Sequence, residues 1–304
     1  MELINTVGKG YYKSMVKYHF LKTVYRILGD ELTVKIKYKL VFKRKLDFKK
    51  LDTLNSKLNY LKIHYDDELY TTVADKYAAR KWLSDRFGEE YLVPLLYHTD
   101  DYNAITPETV PDIPCVIKNN NGSGTVHIVH DKSQIDWKRL KTDCRIWLKQ
   151  NFYYKAQEKQ YKNMKPYIII EKMLLTSDGK IPNDYKLTYF NGELQFVYCS
   201  IDREGRNYRS MYTPDWKPID FSWVSWGHEA ADAKGPDIDP PKSYERMKEF
   251  GAEIAKLFKY VRVDFYDVDG KLYFGEITLS HGGGMNRFVP DEYDFYWGKK
   301  LNLN

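Results

Sequence analysis

Tyr260-Val-Arg-Val-Asp-Phe-Tyr266, then Asp269-Gly270, then Leu272-Tyr-Phe-Gly-Glu-Ile-Thr278: two runs of β-branched and aromatic residues meet at an Asp-Gly pair, a strong short-range hairpin signal. Side chains alternate along a strand, so Arg262, Asp264 and Tyr266 share one face, and Phe274, Glu276 and Thr278 share a face of the partner strand. In register, Asp264 and Glu276 sit close together on one surface. Two carboxylates there raise each other's pKa unless a cation lies between them. Oxygen ligands of this kind suit Mg2+, which binds through one or two carboxylates plus nucleotide phosphates. A solvated hairpin face with incidental acids explains the same pattern, so the hairpin alone does not decide the function.

A chain of 304 residues with 43% hydrophobic and 16% aromatic content builds real cores and excludes a disordered polymer. Of the formal charge of +6, the first 50 residues carry +9 and the remaining 254 carry −3. The basic character is therefore N-terminal, which argues against a general nucleic-acid binder. Cys115, Cys144 and Cys199 form no CxxC and leave one unpaired, so neither a disulfide framework nor a zinc site is expected, and a reducing cytoplasm fits. No signal peptide and no run of about 18 apolar residues is visible.

Residues 10–63 read as helical. Tyr12, Met15, Val16, Phe20, Val24 and Ile27 follow a 3–4 spacing, with Lys13, Lys17, Lys22 and Arg26 on other faces. A second basic stretch covers Val34 to Lys45, and a third helix covers Phe48 to Leu61. Such helices are ordinary ones with a solvated face, or they lie on anionic membranes. Asp75 to Gly88 reads as a helix ended by glycine, followed by a strand from Tyr91 to Tyr97 and a Pro-rich connection. Next, an apolar strand from Cys115 ends in Lys118 and opens into Asn119-Asn-Asn-Gly-Ser-Gly124, with a second strand leaving to Val129. Glycines let a backbone approach an anion, and a lysine adds a point charge for phosphate. The loop is neither a Walker loop nor GxGxxG, and a Gly-Ser-Gly turn is common in inert proteins. Tyr167 to Leu174 is a buried strand ending in Glu171. Asp184 to Phe190, Asn191-Gly192 and Leu194 to Tyr198 form a second hairpin, with Asp184, Lys186 and Thr188 on one face. A helix runs from Ser243 to Phe258 and carries no catalytic residue.

The joint order of these pieces resembles the ATP-grasp superfamily, and most closely the TupA-like ATP-grasp proteins of teichuronopeptide and bacterial polysaccharide biosynthesis. The resemblance rests on Asp75-Lys76-Tyr77, Lys118 with its Asn/Gly loop, Asp184-Tyr-Lys186, Asp202-Arg203, Tyr212 through Asp215-Trp216, Arg262-Val-Asp264 and Gly275-Glu-Ile-Thr278. It implies an α+β fold in which two subdomains clasp ATP, preceded by a basic helical region over residues 1–70. The ATP-grasp module would span 71–304, with a lid-bearing subdomain at 71–170 and a metal- and substrate-binding subdomain at 171–304. It also implies roles. Lys118, and with it Lys76, would bind ATP phosphates under a lid containing Asn121, Gly122, Ser123 and Gly124. The backbone of Glu171, Lys172, Met173 and Leu174 would meet adenine, and Asp184 the ribose. Lys186 would reach the terminal phosphates. Asp264 and Glu276 would hold Mg2+, joined by Thr278 where many relatives have Asn. Arg262, on the same face as Asp264, is either a clamp for the transition state or a partner to Asp264 or Glu276.

The implied reaction is carboxylate activation by Mg-ATP to an acyl phosphate, which an amine displaces to form an amide. The implied substrates are a uronic acid of a surface polysaccharide or its precursor and an amino acid. Between the hairpins, Arg203, Arg206, Arg209, Tyr208, Tyr212, Trp216, Trp223, Trp226 and His228 interleave bases and aromatics. That mixture suits an acidic sugar, although packing claims some of the tryptophans. His281-Gly-Gly-Gly-Met-Asn286, including Gly283, reads as a mobile substrate loop. The expected location is the cytoplasm, at the inner membrane face if the N-terminal helices touch lipid, with no nucleic-acid partner. The alternatives are a nucleotide-sugar glycosyltransferase, for which Asp267-Val-Asp269 has the metal-binding spacing, and a polyanion-binding protein.

Overall fold

The computed structural model describes residues 2–65, 67–225 and 234–304, with side chains from Gly10 onward; Trp226 and His228 lie outside the described residues. The helices are α1 (Glu2–Phe42), α2 (Leu54–His64), α3 (Glu68–Ala74), α4 (Ala78–Phe87), α5 (Trp137–Lys149), α6 (Tyr153–Ala156), α7 (Tyr244–Ala255) and α8 (Glu292–Lys300). The strands are β1 (Leu95–Thr99), β2 (Cys115–Asn119), β3 (Val126–Val129), β4 (Ile168–Lys172), β5 (Asp184–Phe190), β6 (Glu193–Ile201), β7 (Tyr208–Tyr212), β8 (Ser222–Val224), β9 (Tyr260–Val268), β10 (Lys271–Thr278) and β11 (Arg287–Val289). The chain divides into two units. One comprises Met1–Asp30, Asp66–Leu83 and Val93–Met173; the other comprises Glu31–Tyr65, Ser84–Leu92 and Leu174–Asn304. Helix α1 changes unit just past Gly29, whose φ of 73° and ψ of 169° break the helical path.

The first unit holds an antiparallel sheet in the order β1-β4-β2-β3. Helix α5 packs on β2 and β4. Its buried Leu140, Cys144 and Trp147 recur at the helical period and meet Cys115, Ile117, Ile168 and Ile170. Asp136 caps that helix by accepting the Arg139 N–H at 3.0 Å, which satisfies a donor that the helix start leaves unpaired.

The second unit is built on an antiparallel sheet in the order β10-β9-β5-β6-β7. Helix α7 covers one face of it, against β5, β6 and β9. At one end of the other face, Phe190, Phe196 and Tyr260 join Leu54 and Leu58 of α2, Trp223 of β8, Phe288 of β11 and Trp297 of α8 in one buried cluster. Burying each such side chain contributes about 2 kcal/mol. Both expected hairpins form. The tight turn of the last one has Asp269 and Gly270 at positive φ, 56° and 99°, the conformation that Asp-Gly supplies.

Two of the boundaries that differ from the sequence expectation have a local cause. The helix expected from Phe48 begins at Leu54, because Thr53 and Ser56 form a reciprocal capping box that starts the helix there. The strand expected from Tyr91 begins at Leu95. Glu89–Tyr91 makes a 3-10 turn instead, and Pro94 has no N–H to give a ladder.

Candidate active site

The charged residues of the second unit lie in rows across its sheet. Glu276 of β10 pairs with Asp264 of β9, Asp264 with Lys186 of β5, and Lys186 with Tyr198 of β6. One row toward the aromatic cluster, Thr278, Arg262 and Thr188 pair across the same strands; one row away lie Tyr266, Asp184, Ser200 and Arg209. A bulge makes the first row possible. Between Phe274 and Glu276 the register of β10 shifts by one at Gly275. An unbroken ladder would set Glu276 opposite Val263, on the other face. This corrects the expectation that Phe274 shares a face with Glu276 and Thr278. Phe274 instead packs on Phe265 and on Phe250 of α7, while Glu276 and Thr278 join Asp264. A β-carbon at Gly275 would stand 3.1 Å from the Asp264 carbonyl oxygen, so the close crossing favours glycine.

Arg262 organises the cluster. Its Nε donates to Asp264 Oδ1 and its Nη2 to Asp264 Oδ2, both at 2.6 Å, and Nη2 reaches Glu276 Oε1 at 3.0 Å. Lys186 Nζ donates to Asp264 Oδ2 at 2.9 Å and also to Asp184. Thr278 Oγ1 donates to Glu276 Oε1 at 3.0 Å, so its hydroxyl orients the carboxylate. His281 Nδ1 lies 2.6 Å from Arg262 Nη1, and His281 Nε2 lies 3.1 Å from the Asn286 amide. Burial, then the Arg262 and Lys186 cations, hold His281 well below the ordinary histidine range. It is therefore neutral, and Nδ1 accepts from the guanidinium. Burial pushes the Asp264 carboxyl up, while Arg262 and Lys186 pull it back. Burial draws Lys186 down, but Asp184 and Asp264 outweigh it and raise its pKa.

Arg262 and Lys186 thus meet the carboxylates of Asp264, Glu276 and Asp184, with Arg203 and Arg209 on the same face. The donor set fits Mg2+, which needs only one or two carboxylates when phosphates and water complete its shell. Asp264 and Glu276 are the residues that would hold it. Among the described residues no group of three or more His, Cys, Asp or Glu is arranged to cage a metal alone. Asp184 Oδ1 is buried and accepts no hydrogen bond among the described residues. Such an orphan is costly, and a ligand hydroxyl would satisfy it.

The first unit carries a second polar cluster. Lys118 Nζ pairs with Glu171 Oε2 at 2.6 Å, and Arg80 Nη1 lies 3.4 Å from the other oxygen. Lys76 Nζ donates to the Gly122 carbonyl at 2.5 Å. The loop expected to be a lid is anchored at its base. Asn119, Asn120 and Asn121 are buried, with Asn120 Nδ2 on both Asp75 oxygens at 2.9 Å and Asn119 Nδ2 on Asn121 Oδ1 at 3.0 Å. Gly122 is buried too, and only Ser123 and Gly124 form an exposed tip. The Lys172 and Met173 amides donate to the carbonyls of Pro94 and Pro114, so their N–H groups are engaged; Leu174 opens the other unit.

The expected substrate residues separate. Arg209 lies on the charged face with its guanidinium 6.0 Å from the Tyr198 ring, and Arg203 stands 5.5 Å from the ring of Tyr266. Arg206 is exposed, and its guanidinium contacts Tyr208 at 3.5 Å. Tyr212 pairs with Val197 on the opposite face, stacks on Trp216 at 4.6 Å, and Trp216 packs against Tyr244 of α7. The expected loop at His281 is a 3-10 turn over His281–Gly284. Lys62 donates to the Gly283 carbonyl at 2.6 Å and Asn59 to the Gly284 carbonyl at 2.7 Å. Gly283 and Gly284 are thereby tied to α2, which corrects the reading of this loop as a mobile segment. Sequence reasoning missed Trp223 as the platform stacked 3.7 Å from the His281 ring, and missed Asn59 and Lys62. An apolar period interrupted by buried polar residues in α2 was the available signal.

The family described as TupA-like ATPgrasp matches residues 56–302. No curated protein sequence matches the chain. Among solved structures it is similar to the ATP-grasp ligase PsnB complexed with a phosphomimetic variant of its minimal precursor, Mg and ADP, at 12% identity and TM-score 0.40, over 71% of this chain and 53% of that one. It is also similar to D-alanine–D-alanine ligase from Helicobacter pylori, at 15% identity and TM-score 0.40, over 75% and 60%. A third is a Chryseobacterium gregarium RiPP-associated ATP-grasp ligase in complex with ADP and a leader and core peptide, at 11% identity and TM-score 0.40, over 81% and 66%. The chain spans a little over half the length of PsnB.

Proposed function

The chain belongs to the TupA-like ATP-grasp family, and from that premise we propose that it is an ATP- and Mg2+-dependent carboxylate–amine ligase that joins an amino acid to a uronic acid of a surface polysaccharide or its precursor. The observation that carries the ligase reading is the sheet row Glu276–Asp264–Lys186 with the Arg262 fork beside it. Asp264 and Glu276 would hold Mg2+, which would supply neutralisation of phosphate charge. Lys186 holds a fixed positive charge next to Asp264, suited to a terminal phosphate, and Lys118 offers another in the first unit. Arg262 is held by Asp264, Glu276 and His281, so its positive charge would stand in a fixed place beside a transferring phosphoryl group. Once the substrate carboxylate is phosphorylated, the amine attacks its carbonyl carbon and inorganic phosphate leaves.

The uronate is supported by Arg203 and Arg209, two guanidiniums beside aromatic rings, since arginine forks bind carboxylates. The glycosyltransferase alternative loses support because Asp267 is occupied at the entry to α7, accepting the Ser243 N–H at 2.9 Å, and Asp269 accepts the Ser177 N–H at 2.8 Å.

The test is thermal stability with Mg2+ and ATP, ADP or UDP-sugars, beside an EDTA control. Ligand at a hundredfold excess over Kd stabilises by about 2.7 kcal/mol. A Mg2+-dependent rise with ATP or ADP is expected, lost in Glu276→Ala and weakened in Lys118→Ala. A rise with UDP-sugars alone sinks the reading. Phosphate release with uronates and amino acids together, and with neither alone, then tests the substrates.

A further inference from the structure

Residues 10–28 of α1 belong to the first unit and carry two opposed faces. One is tied down: Tyr11 lies 4.4 Å from the Arg145 guanidinium, Ser14 Oγ accepts from Gln150 Nε2 at 2.9 Å, and Tyr18 Oη accepts the Asn151 N–H at 3.2 Å. The other is bare. At about 100° per residue, Tyr12, Val16, Phe20, Thr23 and Ile27 fall within an arc of roughly 80°. Tyr12, Val16, Phe20 and Ile27 are 71%, 69%, 66% and 79% exposed. Lys13 and Lys17 border this stripe on one side, His19 and Arg26 on the other, and no Asp or Glu lies between Gly10 and Gly29.

Single exposed apolar residues are ordinary on a protein surface, but an aligned row of four over about 22 Å is not. Its rims decide between occupants. A second copy of this helix would bring two acid-free basic rims together, which costs like-charge repulsion. An anionic surface neutralises the same rims, and an interfacial helix has this pattern of an apolar stripe between basic edges. Among the described residues no helix is long and apolar enough to cross a membrane, so the helix would lie flat. We propose that residues 10–28 dock the protein on an anionic phospholipid bilayer, with Tyr12, Val16, Phe20 and Ile27 entering the headgroup–acyl boundary and Lys13, Lys17 and Arg26 facing lipid phosphates. This surface is independent of the ligase reading.

The test is sedimentation of the full chain with vesicles of phosphatidylcholine containing roughly one-third phosphatidylglycerol, beside pure phosphatidylcholine. Sedimentation with the anionic vesicles alone is expected. The combined variant Val16→Ser/Phe20→Ser/Ile27→Ser should bind at least about tenfold more weakly, with an unchanged Tm because these positions are exposed. Lys13→Gln/Lys17→Gln/Arg26→Gln should lose roughly fivefold per side chain. Absence of vesicle binding, equal binding to both vesicle types, or full binding by the serine variant would each overturn the proposal. A dimer in light scattering that the serine variant dissolves, without vesicle binding, would overturn it in favour of a second copy.

Discussion

Arg262 and His281 show how one residue's role depends on another's. Arg262 neutralises a buried carboxylate, and truncating one partner of such a pair leaves an uncompensated charge. Arg262→Ala is expected to destabilise the protein by about 3 kcal/mol, read as a lower urea midpoint; an unchanged midpoint would show that Lys186 suffices for Asp264. His281 acts through Arg262 and is a positioning residue. His281→Phe keeps a ring on Trp223 but removes the Nδ1 acceptor. Losing one hydrogen bond to a charged group predicts a fall in kcat of roughly tenfold to hundredfold with an unchanged KM for ATP. A rise in KM with normal kcat would move His281 to nucleotide binding.

Among the elements, β10 and the turn after it show what glycine does here. The period-2 pattern of β10 was legible, but the bulge at Gly275 reverses the face of everything beyond it. A glycine inside a strand is itself a bulge signal, so that reversal was partly readable. Gly284 was not. Its φ is +69°, and a β-carbon would sit 2.7 Å from Asn59 Nδ2 and 3.2 Å from the Asn59 backbone nitrogen. Gly284→Ala therefore combines left-handed strain with a clash against α2 and should cost about 1–3 kcal/mol. Thermal melts check this, and a Tm equal to wild type would show that α2 yields.

Across the second unit as a whole, stability should depend on pH through Asp294. Its carboxylate is fully buried where three segments meet, accepting the Asn55 N–H and the Arg44 guanidinium, each at 2.8 Å. Burial pushes this carboxyl up from 3.8 to about 6, against the pull of Asn55 and Arg44. The folded state holds its proton more tightly than the unfolded chain. The contribution is therefore full below about pH 3.8 and is lost as pH rises through about 6. The loss amounts to about 3 kcal/mol. Urea unfolding between pH 4 and 7 should show this slope in wild type and its absence in Asp294→Asn. Parallel curves would assign the slope to other groups.

The sequence alone determined the local features. Asp-Gly and Asn-Gly select tight turns, alternation puts Arg262 beside Asp264 on one face, and the lysine-ended strand with its polar loop is visible at Cys115–Gly124. The order of these pieces was enough to point to the family. Tertiary structure decided which strands become neighbours. It set Lys186 against Asp264, 78 residues away in the chain, and brought α2 onto the triple glycine. It also turned Tyr212 and Trp216 to the face covered by α7, and buried three asparagines that looked like an open loop. The physical reason is that turn and strand chemistry are set by neighbours in sequence. Burial, strand order and the pairing of charges are set by register and packing between distant segments, which no local pattern encodes.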